Sequence, residues 1–264
     1  TVETWNEAHR NSLKNLLLDR WPLKINLPSQ LSRLTIDMNG VSPIEKKNHP
    51  WPQILPSSLT ELTINTAGIW LPTHGFPKSL KTLKLGKKYA QRFPEGGLPK
   101  GLTRLIFLSN HSFCHPIKRN VLPEGLIELV LGEEVKDAER DCFPVSLQKL
   151  TLGYYMKWCF AKFPPALTHL TLGNWFDHKL KPGCLPITLT HLTFAFDSNY
   201  SHSLGKDVLP SKLKYLVLGR YRKSVRHFPA SVEELTLNSR LRYTERWFQY
   251  LSDNNPRLKQ VSAL

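Results

Sequence analysis

Three histidines recur at a spacing that could place metal ligands one above another. His115, His178 and His202 each lie eight residues before a proline that regularly spaced apolar residues follow. Imidazole is a common metal ligand, and Cys114 adds a thiol beside His115. However, no second ligand pair stands at zinc spacing, and Gln91 occupies the same place before another proline. We therefore expect these histidines to bond loop backbone groups, and we expect no metal and no cofactor.

Catalytic side chains are the second chemistry to consider. The sequence contains no nucleophile elbow, no HExxH zinc motif, no phosphate-binding loop and no dinucleotide fingerprint. The carboxylates expected on one exposed face are Glu61, Glu128 and Glu234, which lie three or more repeats apart. At about 4.8 Å per strand this spacing is too wide for two acids to act as a pair. We expect no catalytic residues and no enzyme activity.

Basic side chains carry the strongest charge signal. The net charge is +15, and residues 201–264 hold twelve Lys and Arg against five Asp and Glu. Such a balance favours acidic proteins, phosphates or nucleic acid as partners, and solubility alone is the other explanation. No nucleic-acid-binding fold signature accompanies the charge, so polyanion binding is the alternative function. Its candidate residues form a basic C-terminal flank: Arg220, Arg222, Lys223, Arg226, Arg240 and Arg242.

One repeat positions nearly all of these residues. A proline is followed by apolar residues three, six and eight positions later, ten times, at intervals of 19 to 28 residues. The prolines are Pro28, Pro56, Pro77, Pro99, Pro123, Pro144, Pro164, Pro186, Pro210 and Pro229. Apolar positions two apart are typical of a strand, and proline suits the preceding turn. Because no turn can bury its own leucines, we predict a leucine-rich-repeat solenoid of about ten parallel β turns of ~22 residues.

The strands should expose two columns of side chains. Residues five and seven after each repeat proline, here called the fifth and seventh columns, point away from the apolar residues at six and eight. The seventh column is mostly β-branched, which suits an exposed sheet. The middle of the fifth column is basic and aromatic, and we predict that this sheet face binds a partner. Its candidate residues are Arg104, Lys149, His169, His191 and Tyr215. A solvated face without a partner is the alternative.

The ends of such a solenoid need covers, because an uncovered end leaves apolar surface and unpaired strand edges. We predict an N-terminal helical cap in residues 1–24. Thr4 and Glu7 have the spacing of a capping box, and the apolar residues behind them, including Leu16 and Leu17, recur at helical intervals.

The opposite end is predicted to close in the same way. The repeats occupy residues 25–240, and a C-terminal cap occupies residues 241–264. This cap contains an amphipathic helix from Tyr243 to Leu251, which Asn254-Asn255-Pro256 ends. Leu258 and Val261 then indicate a last, degenerate strand.

Further motifs surround the repeat prolines. Phe113-Cys114-His115-Pro116-Ile117 leads into Val121-Leu122-Pro123, and Pro56-Ser57-Ser58-Leu59 recurs as Pro77-Lys78-Ser79-Leu80. With these motifs the chain resembles the FNIP-repeat family of the leucine-rich-repeat superfamily, whose unit reads approximately F-N-x-P-I-x-x-G-x-L-P-x-S-L-x-x-L-x-L-G. The resemblance covers about residues 25–240. Similar repeats occur in amoebal and giant-virus proteins.

What the resemblance implies is a role in recognition. Such repeats often follow an F-box, which recruits a ubiquitin-ligase core while the repeats select the substrate. Residues 4–20 are too short to form an F-box, so we expect none in this chain. The adaptor role is therefore an argument from architecture.

Taken together, these patterns predict a monomeric protein–protein interaction module with an acidic protein partner, no membrane attachment, and polyanion or nucleic-acid binding as the alternative.

The four cysteines form no CxxC pair and are too sparse for a disulfide scaffold. This favours a reducing, intracellular location, cytoplasmic or nuclear. Cys142 and Cys184 each lie two residues before a repeat proline, where other repeats carry Val or Ile, so we expect both to be buried.

Overall fold

The computed structural model describes residues 13–19, 27–37, 55–65, 75–108, 113–135, 137–139, 141–156, 162–221, 227–237 and 245–263. Within these residues twelve strands form one parallel sheet in chain order. The strands are β1 Asn15–Leu18, β2 Arg33–Ile36, β3 Glu61–Ile64, β4 Thr82–Leu85, β5 Arg104–Phe107, β6 Glu128–Val130, β7 Lys149–Thr151, β8 His169–Leu172, β9 His191–Phe194, β10 Tyr215–Val217, β11 Glu234–Leu237 and β12 Gln260–Ala263. A helix, α1, spans Glu245–Asn254. The predicted solenoid of parallel turns is confirmed.

The repeat proline begins the turn that enters each strand. In all ten proline-led repeats the proline carbonyl accepts a hydrogen bond from the N–H three residues later, at 3.0 to 3.3 Å. That residue is the first apolar residue of the repeat, and it is at most 1% exposed in every repeat. The turn therefore aims it into the core before the strand starts, which explains the three-residue spacing between the proline and the first leucine.

Short side-chain bonds join neighbouring turns. The Ser79 hydroxyl donates to the carbonyl of Leu59 at 2.7 Å, and the Ser146 hydroxyl donates to that of Leu126 at 2.8 Å. Both serines stand two residues after a repeat proline, and Thr188 makes the same bond to Leu167. The serine of the Pro-x-Ser-Leu motif thus satisfies a buried carbonyl in the preceding turn.

Glycine follows several strands because the turns approach one another closely there. A Cβ atom at Gly153 would meet the carbonyl oxygen of Gly132, and one at Gly173 would meet that of Gly153. These oxygens belong to backbone and cannot rotate away. The backbone contact between successive turns therefore requires glycine at these positions.

The N-terminal prediction is wrong for Asn15–Leu18. Instead of a helix, these residues form β1, which pairs in parallel with β2, Leu16 facing Leu34 and Leu18 facing Ile36. Leu13, Leu16 and Leu18 carry the same three-then-two spacing as the other repeats, but no proline precedes them. Pairing with β2 supplies backbone hydrogen-bond partners that a helix would leave unused. The capping box and most of the remaining cap lie outside the described residues.

A helix and a strand lie in the C-terminal region, the helix at Glu245–Asn254 against the predicted Tyr243 to Leu251. Helix α1 buries Leu251 and packs Trp247 edge-on against Phe228, with ring centroids 6.5 Å apart. It ends before Pro256, and β12 follows, with Val261 opposite Leu235. Within the described residues no helix is long and apolar enough to cross a membrane.

Candidate functional site

Three rings of the fifth column stack face to face on the exposed side of the sheet. The ring centroids of His169 and His191 are 3.9 Å apart, with 13° between the ring planes. The ring centroids of His191 and Tyr215 are 4.2 Å apart, with 16° between the planes. The in-register pairing of β8, β9 and β10 places the three residues side by side. We call these three residues the ring stack. The predicted column of residues is therefore a continuous aromatic surface.

Two threonines that the sequence reasoning missed orient the histidines. Thr168 Oγ1 lies 2.9 Å from Nδ1 of His169, and Thr190 Oγ1 lies 2.8 Å from Nδ1 of His191. The duplicated tetrapeptide Thr-His-Leu-Thr at 168–171 and 190–193 was the available signal. Each threonine hydroxyl also lies 3.1 Å from a carbonyl oxygen of the preceding turn.

These contacts fix one nitrogen of each imidazole. Nδ1 of His169 and of His191 is bonded to its threonine hydroxyl, and the tautomer decides which of the two atoms donates. Nε2 lies at the far end of each ring, and it donates a hydrogen bond whenever the imidazole is protonated.

Both histidines are neutral near pH 7. Partial burial lowers the pKa of His169, and the Lys149 ammonium adds to that effect. Partial burial also lowers the pKa of His191, reinforced by His169, Lys149 and Lys214. The stripe predicted to be basic and aromatic thus carries one ammonium, Lys149, beside uncharged rings, because burial disfavours the charged imidazolium and the nearby positive charge of Lys149 adds to that effect.

The charges around the ring stack are unevenly paired. On its N-terminal side Arg104, one of the predicted partner residues, is 2.6 Å from Glu128. On its C-terminal side Glu233 is held by Lys214 at 3.1 Å and by Lys259 at 2.7 Å. Between these two paired regions, Lys149 forms no ion pair with any described residue. The structure therefore brings Lys149, His169, His191 and Tyr215 together as one row and leaves Arg104 outside it.

Apolar and aromatic side chains border the same turns. Beyond the strand ends of β7, β8 and β9, Tyr155, Trp175 and Phe196 are exposed, with Trp175 at 43% and Phe196 at 50%. The rings of Tyr155 and Trp175 lie 6.1 Å apart. The half-buried seventh-column threonines lie between this rim and the ring stack.

The basic C-terminal flank is only partly described. Arg220 forms an ion pair with Asp197 at 2.9 Å, so its charge is already neutralised by a neighbouring turn. The other five candidates lie outside the described residues: Arg222, Lys223, Arg226, Arg240 and Arg242. No described contact brings this flank together as a site.

Two of the three spaced histidines, His115 and His202, make the backbone contacts expected of them. Nε2 of His115 lies 3.0 Å from the carbonyl oxygen of Ala90, while Nδ1 accepts a bond from Arg92 at 3.2 Å. His202 is 2.8 Å from the carbonyl oxygen of Asp177 through Nε2, and His178 is exposed. In the described part of the chain, no three His, Cys, Asp or Glu side chains are grouped to hold a metal ion.

The described cysteines divide by position. Cys142 and Cys184 are buried, as predicted, and burial raises the pKa of the Cys142 thiol to about 12. Burial also raises the pKa of the Cys184 thiol. Cys114 is exposed, and all three are free thiols.

A separate cavity of about 550 Å³ lies between the last proline turns and α1. Its walls include Ile187, Pro210, Phe228 and Tyr250. None of the predicted partner residues lines it, so the cavity and the ring stack are different surfaces.

Comparison with known proteins supports the repeat assignment. The family model described as FNIP Repeat matches residues 72–110, 113–155, 160–197 and 176–221. A solved giant-virus protein, described as CroV588 with a novel circular LRR protein structure, superposes with a TM-score of 0.63 at 25% identity. The match covers 90% of this chain but 37% of that protein, so the chain spans well under half of its relative's length. No curated protein matches the chain.

Proposed function

The chain belongs to the FNIP repeat family, and we propose that it is a protein–protein interaction module that binds its partner through the row Lys149, His169, His191 and Tyr215. The repeat family and the leucine-rich-repeat solenoid both suggest an interaction role. The observation that carries the choice of face is the ring stack, an ordered aromatic surface on the exposed side of the sheet. Aromatic side chains supply large contact area at low entropy cost.

The surrounding surface supports a binding role for this face. Rigid parallel strands hold the row, so little conformational entropy is lost when a partner binds. The strands β8 and β9 carry His169 and His191 of the row, and exposed rings, Trp175 and Phe196, follow these strands. Protein interfaces typically combine such aromatic side chains with polar groups. We place the protein as a monomer in a reducing, intracellular compartment, which its free thiols suit.

The test is capture of partners by the immobilised chain from a lysate of its source cells, quantified by mass spectrometry. The variant K149A/H191A/Y215A should lose the captured protein. The variant K179A/K181A, here called the rear control, changes two exposed lysines between β8 and β9 that lie outside the fifth column, and it should retain the captured protein. Circular dichroism verifies that both variants fold. Equal capture by the native chain and the row variant would contradict the proposal.

A finer proposal rests on the family alone: the repeats select substrate for an F-box-type ubiquitin-ligase adaptor. Its test uses the full-length protein, because the F-box belongs outside the repeats. Co-purification of ubiquitin-ligase subunits with the full-length protein supports this role, and their absence from a preparation that still contains the partner argues against it.

Polyanion or nucleic-acid binding through the basic flank is the alternative. Of its candidate residues only Arg220 is described, and it is paired with Asp197. Filter binding of an RNA oligomer across a salt series separates the two functions. A polyanion site should weaken steeply as salt rises, whereas an interface centred on aromatic contacts should change little.

A further inference from the structure

We propose that the row Lys149, His169, His191 and Tyr215 binds an acidic protein segment, whose carboxylates accept hydrogen bonds from four donors aligned across β7 to β10. This inference rests on the proposed function, because it specifies the partner's chemistry at the same face. The four residues are consecutive in the fifth column, and each faces the next in the sheet register.

All four side chains can donate hydrogen bonds. Lys149 offers an ammonium and Tyr215 a hydroxyl, and each histidine donates from Nε2 when its imidazole is protonated, since Nδ1 is bonded to a threonine hydroxyl. Among the described residues neither Nε2 has a hydrogen-bond partner. A row that can donate at every position is complementary to carboxylates, which only accept.

The spacing suits an extended chain laid across the strands. Four positions about 4.8 Å apart span roughly 14 Å, the length of four or five extended residues. Side chains on one face of an extended segment recur about every 7 Å, so two or three alternating Asp or Glu residues reach the row. The rings beneath contact the methylene groups of these side chains.

In the part of the chain that the structure describes, no carboxylate competes inside the row. Glu128, which faces Lys149 in the register, is engaged by Arg104 at 2.6 Å. Glu233 is engaged by Lys214 and Lys259. Glu234, which faces Tyr215, is exposed and marks the C-terminal end of the row. Between Glu128 and Glu234, the charge that a partner meets in the row is therefore the positive charge of Lys149.

Protonation should strengthen the complex. A carboxylate bound at Nε2 favours the imidazolium and raises the pKa of the histidine in the complex. In the free protein, burial and the charges of Lys149 and Lys214 oppose that protonation, so binding takes up protons. Affinity should therefore rise as pH falls from 7.5 to 5.5, by up to about tenfold for each histidine whose pKa rises by one unit.

The experiment measures fluorescence anisotropy of a labelled twelve-residue peptide of alternating Glu and Ser, at low salt, with a Gln-Ser peptide and an RNA oligomer as matched probes. The native chain should bind the Glu peptide at least tenfold more tightly than the Gln peptide, and more tightly still at pH 5.5. K149Q should weaken binding severalfold, and the rear control K179Q should not.

The variant H169Q/H191Q distinguishes hydrogen-bond donation by the two histidines from the positive charge that they gain on protonation, because glutamine keeps an N–H donor but does not titrate. It should retain binding at pH 7.5 and lose the gain at pH 5.5. Three results would overturn the inference. The first is equal binding of the Glu and Gln peptides, and the second is a gain in affinity at pH 5.5 that survives in H169Q/H191Q. The third is binding of the RNA oligomer that is tighter than binding of the Glu peptide and is weakened by K149Q. If the captured protein is lost in K149A/H191A/Y215A while the Glu peptide does not compete with it for the native chain, the proposed function stands. In that case the proposal that the row binds an acidic segment is wrong.

Discussion

Thr190 Oγ1 lies 2.8 Å from Nδ1 of His191, a residue whose ring is in contact with rings on both neighbouring strands. The same hydroxyl lies 3.1 Å from the carbonyl oxygen of Thr168. One threonine therefore links the backbone of the preceding turn to a ring nitrogen of a half-buried imidazole. The orientation of the ring stack is thus determined beneath the surface that a partner would contact.

Replacing both buttressing threonines, as T168V/T190V, should change the tautomer balance of the two histidines. Valine has nearly the same shape but cannot bond Nδ1, so the ¹⁵N chemical shifts of both imidazoles should change in NMR spectra. Stability should fall by about 1 kcal/mol for each lost hydrogen bond. The control is T103V, since Thr103 bonds the carbonyl of Lys81 in the same way but has no neighbouring histidine in its strand. Unchanged imidazole shifts in the double variant would refute a bond between these hydroxyls and Nδ1.

The ring stack should make folding stability depend on pH. The pKa values of His169 and His191 are lowered in the folded protein, so the unfolded chain binds more protons in the interval below the ordinary histidine value of 6.5. Stability is then complete above that pH and decreases as pH falls through it. Urea denaturation at pH 7.5 and 5.5 should show this loss, and H169Q/H191Q should show less of it. An equal loss of stability in the native protein and in H169Q/H191Q would show that other titratable groups cause it.

Neighbouring leucines in β1 should respond oppositely to truncation. Leu18 is 2% exposed and Leu17 is 63% exposed, because adjacent residues of a strand face opposite sides of the sheet. L18A should cost about 2 to 4 kcal/mol, whereas L17A should change stability by less than about 0.5 kcal/mol. Chemical denaturation of the two variants measures both values. A large cost for L17A would instead favour the helical face first expected from the sequence.

Glycine substitutions should test the close contact between turns. G173A places a methyl group against the carbonyl oxygen of Gly153 and should destabilise the protein by about 1 to 3 kcal/mol. G205A is the control, because a Cβ there meets nothing within 4 Å. It should be neutral or slightly stabilising in the same urea titration. Equal stability of the two variants would mean that the turns can separate at little cost.

Sequence reasoning succeeded where the signal is local and repeated. The proline, the three-residue step to the first leucine and the alternation after it located β2 to β11 and both outward columns. It failed at β1, where Leu13, Leu16 and Leu18 follow the repeat spacing without a leading proline. Leu16 and Leu17 also suited a helix, and only the edge of β2 decided in favour of a strand, by offering backbone partners.

The sequence by itself determined the solenoid, the number of proline-led turns and the membership of the fifth column, because each repeat carries its own turn and strand signals. Only the tertiary structure decided how the members of that column interact. It paired Arg104 with Glu128 and Arg220 with Asp197, and it stacked His169, His191 and Tyr215. These contacts join residues about twenty positions apart in the chain, which become neighbours only when stacking brings their strands to about 4.8 Å. Charge, protonation and ring contact depend on such distances, so the chemistry of the row follows from the fold.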